Sequence, residues 1–121
     1  MRVRIVSVCA VMFLAACGSD SSSGVTPPGS NKTVDIFTIG DTFSPTYLPS
    51  PLSVGDTVRW NFTGGSDGLG HNVRFNPRVA GAPADINVLK TGTASRVFTA
   101  KGTYDYVCDV HPGMNAQIVV Q

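Results

Sequence analysis

Near its carboxyl end the chain reads GTYDYVCDVHPGM from Gly102 to Met114. After the turn signal Lys101-Gly102, polar residues alternate with aromatic and apolar ones over Thr103–Cys108, the two-residue period of a β-strand with one buried face. The Pro-Gly pair that follows cannot continue a strand and predicts a loop. We therefore expect a strand that ends at a cysteine and leads into a short loop.

The rest of the chain also favours short strands. It contains no Glu and many Val and Thr, so good helix formers are scarce and β-branched residues abundant. Three prolines keep Phe43–Pro51 out of any central strand, and only Asp85–Leu89 could form a helical turn. These features predict an all-β fold, an antiparallel sandwich of two sheets over one core. The predicted strands are Val34–Ile39, Thr57–Phe62, Asn72–Phe75, Ser95–Thr99, Thr103–Cys108 and Gln117–Val120.

Length and charge limit the function. The chain has 121 residues, with 9 Lys+Arg against 8 Asp+Glu and a formal net charge of +1 at pH 7. This length suits one small domain. Binding to phosphates needs clustered basic residues along one face, and the sequence contains no basic run. The composition therefore excludes nucleic acid as a partner.

The amino-terminal residues are typical of an exported protein. Arg2 and Arg4 precede an apolar run from Ile5 to Ala15, which is shorter than the roughly 20 residues of a membrane-spanning helix. Residues 1–16 are therefore predicted to be a signal peptide. The small residues before Cys17 resemble the cleavage site of bacterial lipoproteins, which implies lipid attachment at Cys17. An ordinary signal peptide that happens to contain this cysteine stays an alternative.

A flexible linker is expected over residues 17–31, because this segment is rich in Ser, Gly and Pro and cannot bury enough apolar surface to fold. The folded domain is then residues 32–121. Together these features predict a cell-envelope protein that is lipid-anchored to a membrane, with its domain on the periplasmic or extracellular side.

The cysteine and histidine positions indicate a metal site. If Cys9 leaves with the signal peptide and Cys17 carries lipid, Cys108 is the one free thiol of the mature chain. Cys108, His111 and Met114 have the spacing C-x2-H-x2-M on one loop, and His71 is the other histidine. Two imidazoles and a thiolate in a plane, with a weak axial Met, form the ligand set of a blue-copper site.

Other interpretations exist for each of these residues. A lone cysteine can be a small buried hydrophobe, a single His can cap a strand, and a Met at the end of a loop is commonly core filler. However, the mature chain contains no other His and no other Met. Because each of these residue types is uncommon and the mature chain has no further His, Met or free Cys, we interpret the four residues as one copper site.

Several motifs resemble the cupredoxins, the plastocyanin/azurin family of small blue-copper proteins, over about residues 33–121. They are Val54–Val58 with Trp60, Gly70–Val73, Gly102–Cys108 and the loop through Met114. The resemblance implies a Greek-key β-sandwich of two sheets with one type 1 copper ion per chain at one end. The short ligand loop is similar to that of amicyanins rather than of plant plastocyanins.

The resemblance also implies a role for each site residue. His71 would be the buried ligand, Cys108 the thiolate, His111 the partly exposed ligand and Met114 the axial one. Asn72 would tie the first His segment to the ligand loop. Asp109 departs from the Ser or Thr often found directly after the ligand cysteine, and its charge would favour Cu(II) over Cu(I).

The sequence thus predicts an electron-transfer protein that cycles Cu(II)/Cu(I) and is not an enzyme, because copper oxidases and nitrite reductases need more histidines. Its partners would be a redox protein donor and acceptor, and the domain would be a monomer. Electrons would pass through an apolar, uncharged rim around His111. A copper carrier or sensor would bind the same ion and stays the alternative, although such proteins usually carry extra Met or His clusters. A metal-free adhesion module would require the four residues to coincide by accident.

Overall fold

The computed structural model describes residues 31–121. The predicted signal peptide, Cys17 and the linker up to residue 30 lie outside the described residues. Over the described range, no helix is long and apolar enough to cross a membrane.

Eight strands form two four-stranded sheets, with the orders β2-β1-β3-β6 and β5-β4-β7-β8. The chain changes sheet between β3 and β4, between β5 and β6, and between β6 and β7, as in a Greek key. The predicted all-β sandwich of two sheets is therefore confirmed. The strands are β1 (Thr33–Ile39), β2 (Thr42–Ser44), β3 (Thr57–Phe62), β4 (His71–Phe75), β5 (Ile86–Leu89), β6 (Gly92–Val97), β7 (Gly102–Val107) and β8 (Asn115–Val120).

One pairing differs from the expected antiparallel arrangement. β1 runs parallel to β3, with Thr33 opposite Thr57. Parallel neighbours need a long crossover connection, and the segment between β1 and β3 supplies it by passing along the other sheet. There the backbone N–H of Leu52 donates to the carbonyl of Val119 at 2.8 Å, and Gln121 donates back to Leu52 at 2.8 Å.

Asp85–Leu89 does not form the helical turn that its sequence would allow. Ile86–Leu89 is the edge strand β5, which pairs antiparallel with β4. Asp85 accepts a hydrogen bond from the backbone N–H of Phe75 at 3.1 Å, and Ile86 is buried. Contacts with a neighbouring strand thus override the weak local preference. The short edge strand β2, which ends just before Pro45, was not predicted either.

Aromatic side chains fill the core beneath one end of the sandwich. Trp60 and Tyr106 are fully buried, and their rings meet edge to face at a centroid distance of 5.7 Å. Phe43 packs on Tyr106 from the other side at 4.8 Å. Burial raises the pKa of Tyr106. Because Tyr104, Tyr106 and Cys108 alternate along one strand, the same face that fills the core also carries the cysteine inward.

A buried carboxylate joins the start of the domain to the crossover. Asp56 is 0% exposed and accepts hydrogen bonds from the backbone N–H groups of Lys32 at 3.1 Å and Ser53 at 2.9 Å. The amine of Lys32 lies 3.8 Å from the same carboxylate. The two backbone donors have their partner only while this side chain is present.

Asp56→Ala should therefore destabilise the domain, because it leaves two N–H donors without an acceptor at a cost of about 3 kcal/mol. Asp105→Ala is the matched control, since the Asp105 side chain is exposed and accepts a hydrogen bond only from the side chain of Gln117; it should cost less than about 1 kcal/mol. Urea unfolding of the metal-free chain measures both. Equal losses in the two variants would contradict a structural role for Asp56.

Candidate metal centre

Three buried side chains meet where β4 begins and β7 ends. His71 opens β4, Cys108 directly follows β7, and His111 lies in the loop that leads to β8. β4 and β7 are antiparallel, with Arg74 opposite Val107, so the first residue of one strand lies beside the end of the other. One nitrogen of each histidine and the sulfur of Cys108 all lie within 4.8 Å of one another.

The separations fit a single metal ion. The Cys108 Sγ lies 3.9 Å from His71 Nδ1 and 3.6 Å from His111 Nδ1. A metal–nitrogen bond of about 2.0 Å and a metal–sulfur bond of about 2.3 Å, set at the 120° of a trigonal plane, would hold the two ligand atoms roughly 3.7 Å apart. The donor set of one thiol and two imidazoles is that of a type 1 copper site. The residues present therefore fit the metal that the sequence predicts.

His71 is kept in the form that binds metals. It is fully buried, and this burial, more than the neighbouring His111, lowers its pKa. A lowered pKa favours the neutral imidazole, whose free nitrogen is the ligand atom.

Met114 closes the loop that begins at Cys108. The backbone N–H of Cys108 donates to the carbonyl of Met114 at 2.9 Å, and Met114 donates to the carbonyl of His111 at 3.1 Å. Gly113 has a φ of 87°, a left-handed conformation that glycine adopts without strain. The side chain of Met114 is buried, and its binding of the metal stays a prediction.

Asn72 joins β4 to the ligand loop through both ends of its amide. Its Oδ1 accepts from the backbone N–H of Asp109 at 2.7 Å, and its Nδ2 donates to the Asp109 carboxylate at 2.9 Å. The residue after the cysteine is therefore held against the residue after the first histidine.

Asp109, whose charge is expected to favour Cu(II), forms an ion pair. Its side chain is 44% exposed, and it pairs with Arg74, whose Nε lies 2.7 Å from Oδ1. The hydrogen bonds from Arg74 and, to a smaller extent, from Asn72 lower the pKa of Asp109. The guanidinium offsets the negative charge that was expected to act on the metal. Asn72 and Arg74 are two residues apart on β4 and therefore share one face of the strand. This spacing is the sequence signal that both could contact Asp109.

His111 is more enclosed than the expected partly exposed ligand. It is only 6% exposed, because Gly65 and the carboxylates of Asp67 and Asp41 cover the outer edge of its ring. A Cβ at Gly65 would lie 2.7 Å from His111 Nε2. Leu69, in the loop that covers this edge, is apolar and 50% exposed, but the two carboxylates contradict the expected uncharged rim.

Both carboxylates have a lowered pKa. For Asp67 the main cause is a hydrogen bond from the backbone N–H of Leu69. For Asp41 it is the hydroxyl of Ser66. The sequence GGSDG at residues 64–68 predicts only a turn, and nothing in its pattern indicates which side chain it covers.

A two-sheet β-sandwich with a buried Cys/His/His group where β4 begins and β7 ends defines a cupredoxin-type copper protein. Residues 40–121 match the family model "Copper binding proteins, plastocyanin/azurin family". The chain belongs to this plastocyanin/azurin family. Together, the family and the donor group establish one type 1 copper ion as the cofactor.

The chain is similar to curated amicyanins. It is 31% identical to amicyanin-alpha of Methylorubrum extorquens over 121 residues, which cover 93% of this chain and 98% of that protein. It is 39% identical to amicyanin of Paracoccus denitrificans over 72 residues, or 58% of this chain. That second match spans 53% of the Paracoccus protein, about half its length.

Solved structures have the same fold. An oxidised amicyanin variant superposes with a TM-score of 0.61 at 31% identity, covering 73% of this chain and 81% of that one. A copper-containing nitrite reductase from Thermus scotoductus superposes with a TM-score of 0.63 at 26% identity. This match covers 74% of the chain but only 22% of the reductase, so the similarity concerns one part of that enzyme.

Asn72→Ala should loosen the metal centre, because it removes both hydrogen bonds between β4 and the residue after Cys108. We expect copper to bind about 10- to 100-fold more weakly, as is typical when a group that supports metal ligands is lost. Asn61→Ala is the control, since Asn61 bonds Asp35 in the other sheet. Competition with a copper chelator measures both affinities, and an equal decrease in the two variants would contradict a specific role for Asn72.

Proposed function

We propose that this protein is a one-electron carrier of the cell envelope, with His71, Cys108, His111 and Met114 as its copper ligands. The observation that carries the proposal is the convergence of two histidine nitrogens and one cysteine sulfur within 4.8 Å, all of them buried. Bound copper supplies the Cu(II)/Cu(I) couple, which exchanges one electron without a proton or a bond to a substrate.

The scaffold suits fast electron transfer. His71 and Cys108 lie on or directly beside adjacent strands, and the hydrogen bonds of Met114 and Asn72 close the loop that carries His111. Burial of the three side chains excludes water from the ligand positions. A site whose ligands move little between oxidation states needs little rearrangement on electron gain.

A copper carrier or sensor is the second candidate. A carrier must release its ion, and this favours ligands on exposed, flexible segments. Here the sulfur and both histidines are buried, and the described part of the chain holds one group of three or more His, Cys or acidic residues that could bind a metal. These features favour electron transfer over metal delivery.

We propose no catalytic reaction for the chain. The resemblance to a nitrite reductase covers 22% of that enzyme, and both histidines of this sequence are assigned to one site. The proposed partners are a donor and an acceptor redox protein that dock in turn with a monomeric domain, without nucleic acid.

The proposed location depends on the amino-terminal residues. Residues 1–16 would be removed as a signal peptide, Cys17 would carry lipid, and residues 17–31 would link it to the domain of residues 32–121. The start of β1 at Thr33 agrees with this boundary. The domain would then face the periplasm or the cell exterior while staying attached to a membrane.

The copper assignment predicts that the purified chain binds one Cu(II) and turns intensely blue. Cys108→Ser should abolish the colour and His71→Ala should weaken metal binding, because each removes a ligand. Met114→Leu should stay blue with a higher reduction potential, since a weak donor to Cu(II) is lost. Visible spectra, metal analysis and voltammetry measure these effects.

The matched control is Val107→Ala, which changes the neighbour of Cys108 and should leave the colour intact. A wild-type chain that binds Cu(II) but stays colourless would contradict the type 1 assignment. An unchanged potential in Met114→Leu would show that Met114 is not the axial ligand.

The anchor predicts that the full chain, expressed in a bacterium, fractionates with membranes and resists extraction by salt. Cys17→Ser should stay unprocessed or be released in soluble form, whereas Cys9→Ser, within the predicted signal peptide, should behave as wild type. Fractionation with immunodetection and intact mass of the mature protein measure the outcome. Membrane attachment that survives in a correctly cleaved Cys17→Ser chain would contradict the lipid anchor.

A further inference from the structure

A short loop lies directly on the outer edge of His111. This cap loop, residues 64–69, connects β3 to the residue before β4. Its backbone is closed by hydrogen bonds from Gly65 to the carbonyl of Leu69 at 2.7 Å and from Gly68 to the carbonyl of Gly65 at 3.0 Å. Because a Cβ at Gly65 would lie 2.7 Å from His111 Nε2 and 2.8 Å from Cε1, the backbone there is in close contact with the ring.

Two carboxylates approach the nitrogen of His111 that points away from Cys108. Asp67 Oδ1 lies 3.3 Å from His111 Nε2, and Asp41 Oδ1 lies 3.5 Å from it. The first distance is that of a hydrogen bond. The opposite nitrogen, Nδ1, is the one that faces Cys108 Sγ at 3.6 Å. The carboxylates thus lie at the Nε2 edge of the ring, and the thiol lies at the Nδ1 edge.

Each carboxylate is held in place by its own donors. The backbone N–H of Leu69 donates to Asp67 Oδ1 at 2.8 Å. The backbone N–H and the hydroxyl of Ser66 donate to Asp41 at 3.2 and 2.8 Å. Although both side chains are partly exposed, these bonds aim their oxygens at the ring edge. Asp41 lies in the turn between β1 and β2 of one sheet and His111 in the loop between β7 and β8 of the other, so the contacts of the carboxylates with His111 join both sheets at this end.

We propose that Asp67 and Asp41 are positioning residues: Asp67 accepts the Nε2–H of His111, and Asp41 places a second carboxylate 3.5 Å from the same nitrogen, so that Nδ1 is left as the free nitrogen. A neutral imidazole carries one N–H, and the hydrogen bond made by one nitrogen decides which nitrogen is left to bind a metal. The carboxylates also fix the plane of the ring and place negative charge beside Nε2, on the side of the ring away from Cys108. The inference rests on the proposed function only in taking Nδ1 of His111 as a metal ligand.

The charge has its own consequence. A carboxylate bonded to the far nitrogen makes an imidazole a stronger donor, and negative charge beside a metal favours the more positive oxidation state. The two carboxylates should therefore hold the reduction potential of the site below the value it would have with an uncharged cap.

The first test needs no metal. Long-range ¹H–¹⁵N NMR of the ¹⁵N-labelled full chain, at about pH 8 and thus above the ordinary histidine pKa, reports which nitrogen of His111 carries the proton. We expect an Nε2–H that exchanges slowly with water. The double variant Asp41→Ala/Asp67→Ala should speed this exchange about tenfold, as expected for the loss of a hydrogen bond, and should populate the Nδ1–H form.

A conservative variant separates geometry from charge. Asp41→Asn/Asp67→Asn keeps a carbonyl oxygen at both positions, so it should retain the Nε2–H form. In the copper-loaded chain both double variants should raise the reduction potential, because both remove the carboxylates. The control Asp35→Asn/Asp85→Asn removes the same charge away from His111, where Asp35 pairs with Arg59 and Asp85 with Arg78, and should change neither readout.

Unchanged exchange and an unchanged proton position in the double Ala variant would overturn the inference, even if the chain is blue. A potential that rises no more in the cap variants than in the control would overturn the effect of charge. Failure of the wild-type chain to turn blue would instead count against the proposed function, while the metal-free NMR result would still decide the role of the two carboxylates.

Discussion

The antiparallel pairing of β4 with β7 is the constraint on which the metal centre depends. With Arg74 opposite Val107, His71 at the start of one strand lies beside Cys108 at the end of the other. Side chains alternate between the two faces of a strand, so a slip of one residue in this register would turn Cys108 away from the core. The aromatic residues that alternate with polar ones along β7 fix that register, because Tyr104 and Tyr106 are buried only in the present one.

Strand β4 supports the metal centre in three ways. His71 points into the site, Asn72 holds the backbone of Asp109, and Arg74 balances the charge of that carboxylate. The cysteine, in turn, needs no partner thiol, since Cys108 is the free cysteine of the described residues and is buried beside both histidines. The metal centre therefore depends on β4 as well as on the loop that carries Cys108 and His111.

The sequence predicts the two-sheet sandwich and the group of candidate ligands because both depend on local signals. Alternation marks β7, and the scarcity of Cys and His marks the site. The sequence does not predict the parallel pairing of β1 with β3, the edge strand β5 or the carboxylates over His111. These features depend on contacts between segments far apart in the chain, and Asp41 and Asp67 lie in turns without any periodic pattern.

The hydrogen bond between Cys108 and Met114 closes a segment that carries three of the four candidate ligands. Because β7 and β8 fix both ends of that segment, its interior residues can differ while the sandwich keeps its structure. Insertions between Cys108 and Met114 would alter the spacing of the donors without removing a residue that packs in the core. The spacing of the donors can thus change with the length of this loop while the two sheets stay the same.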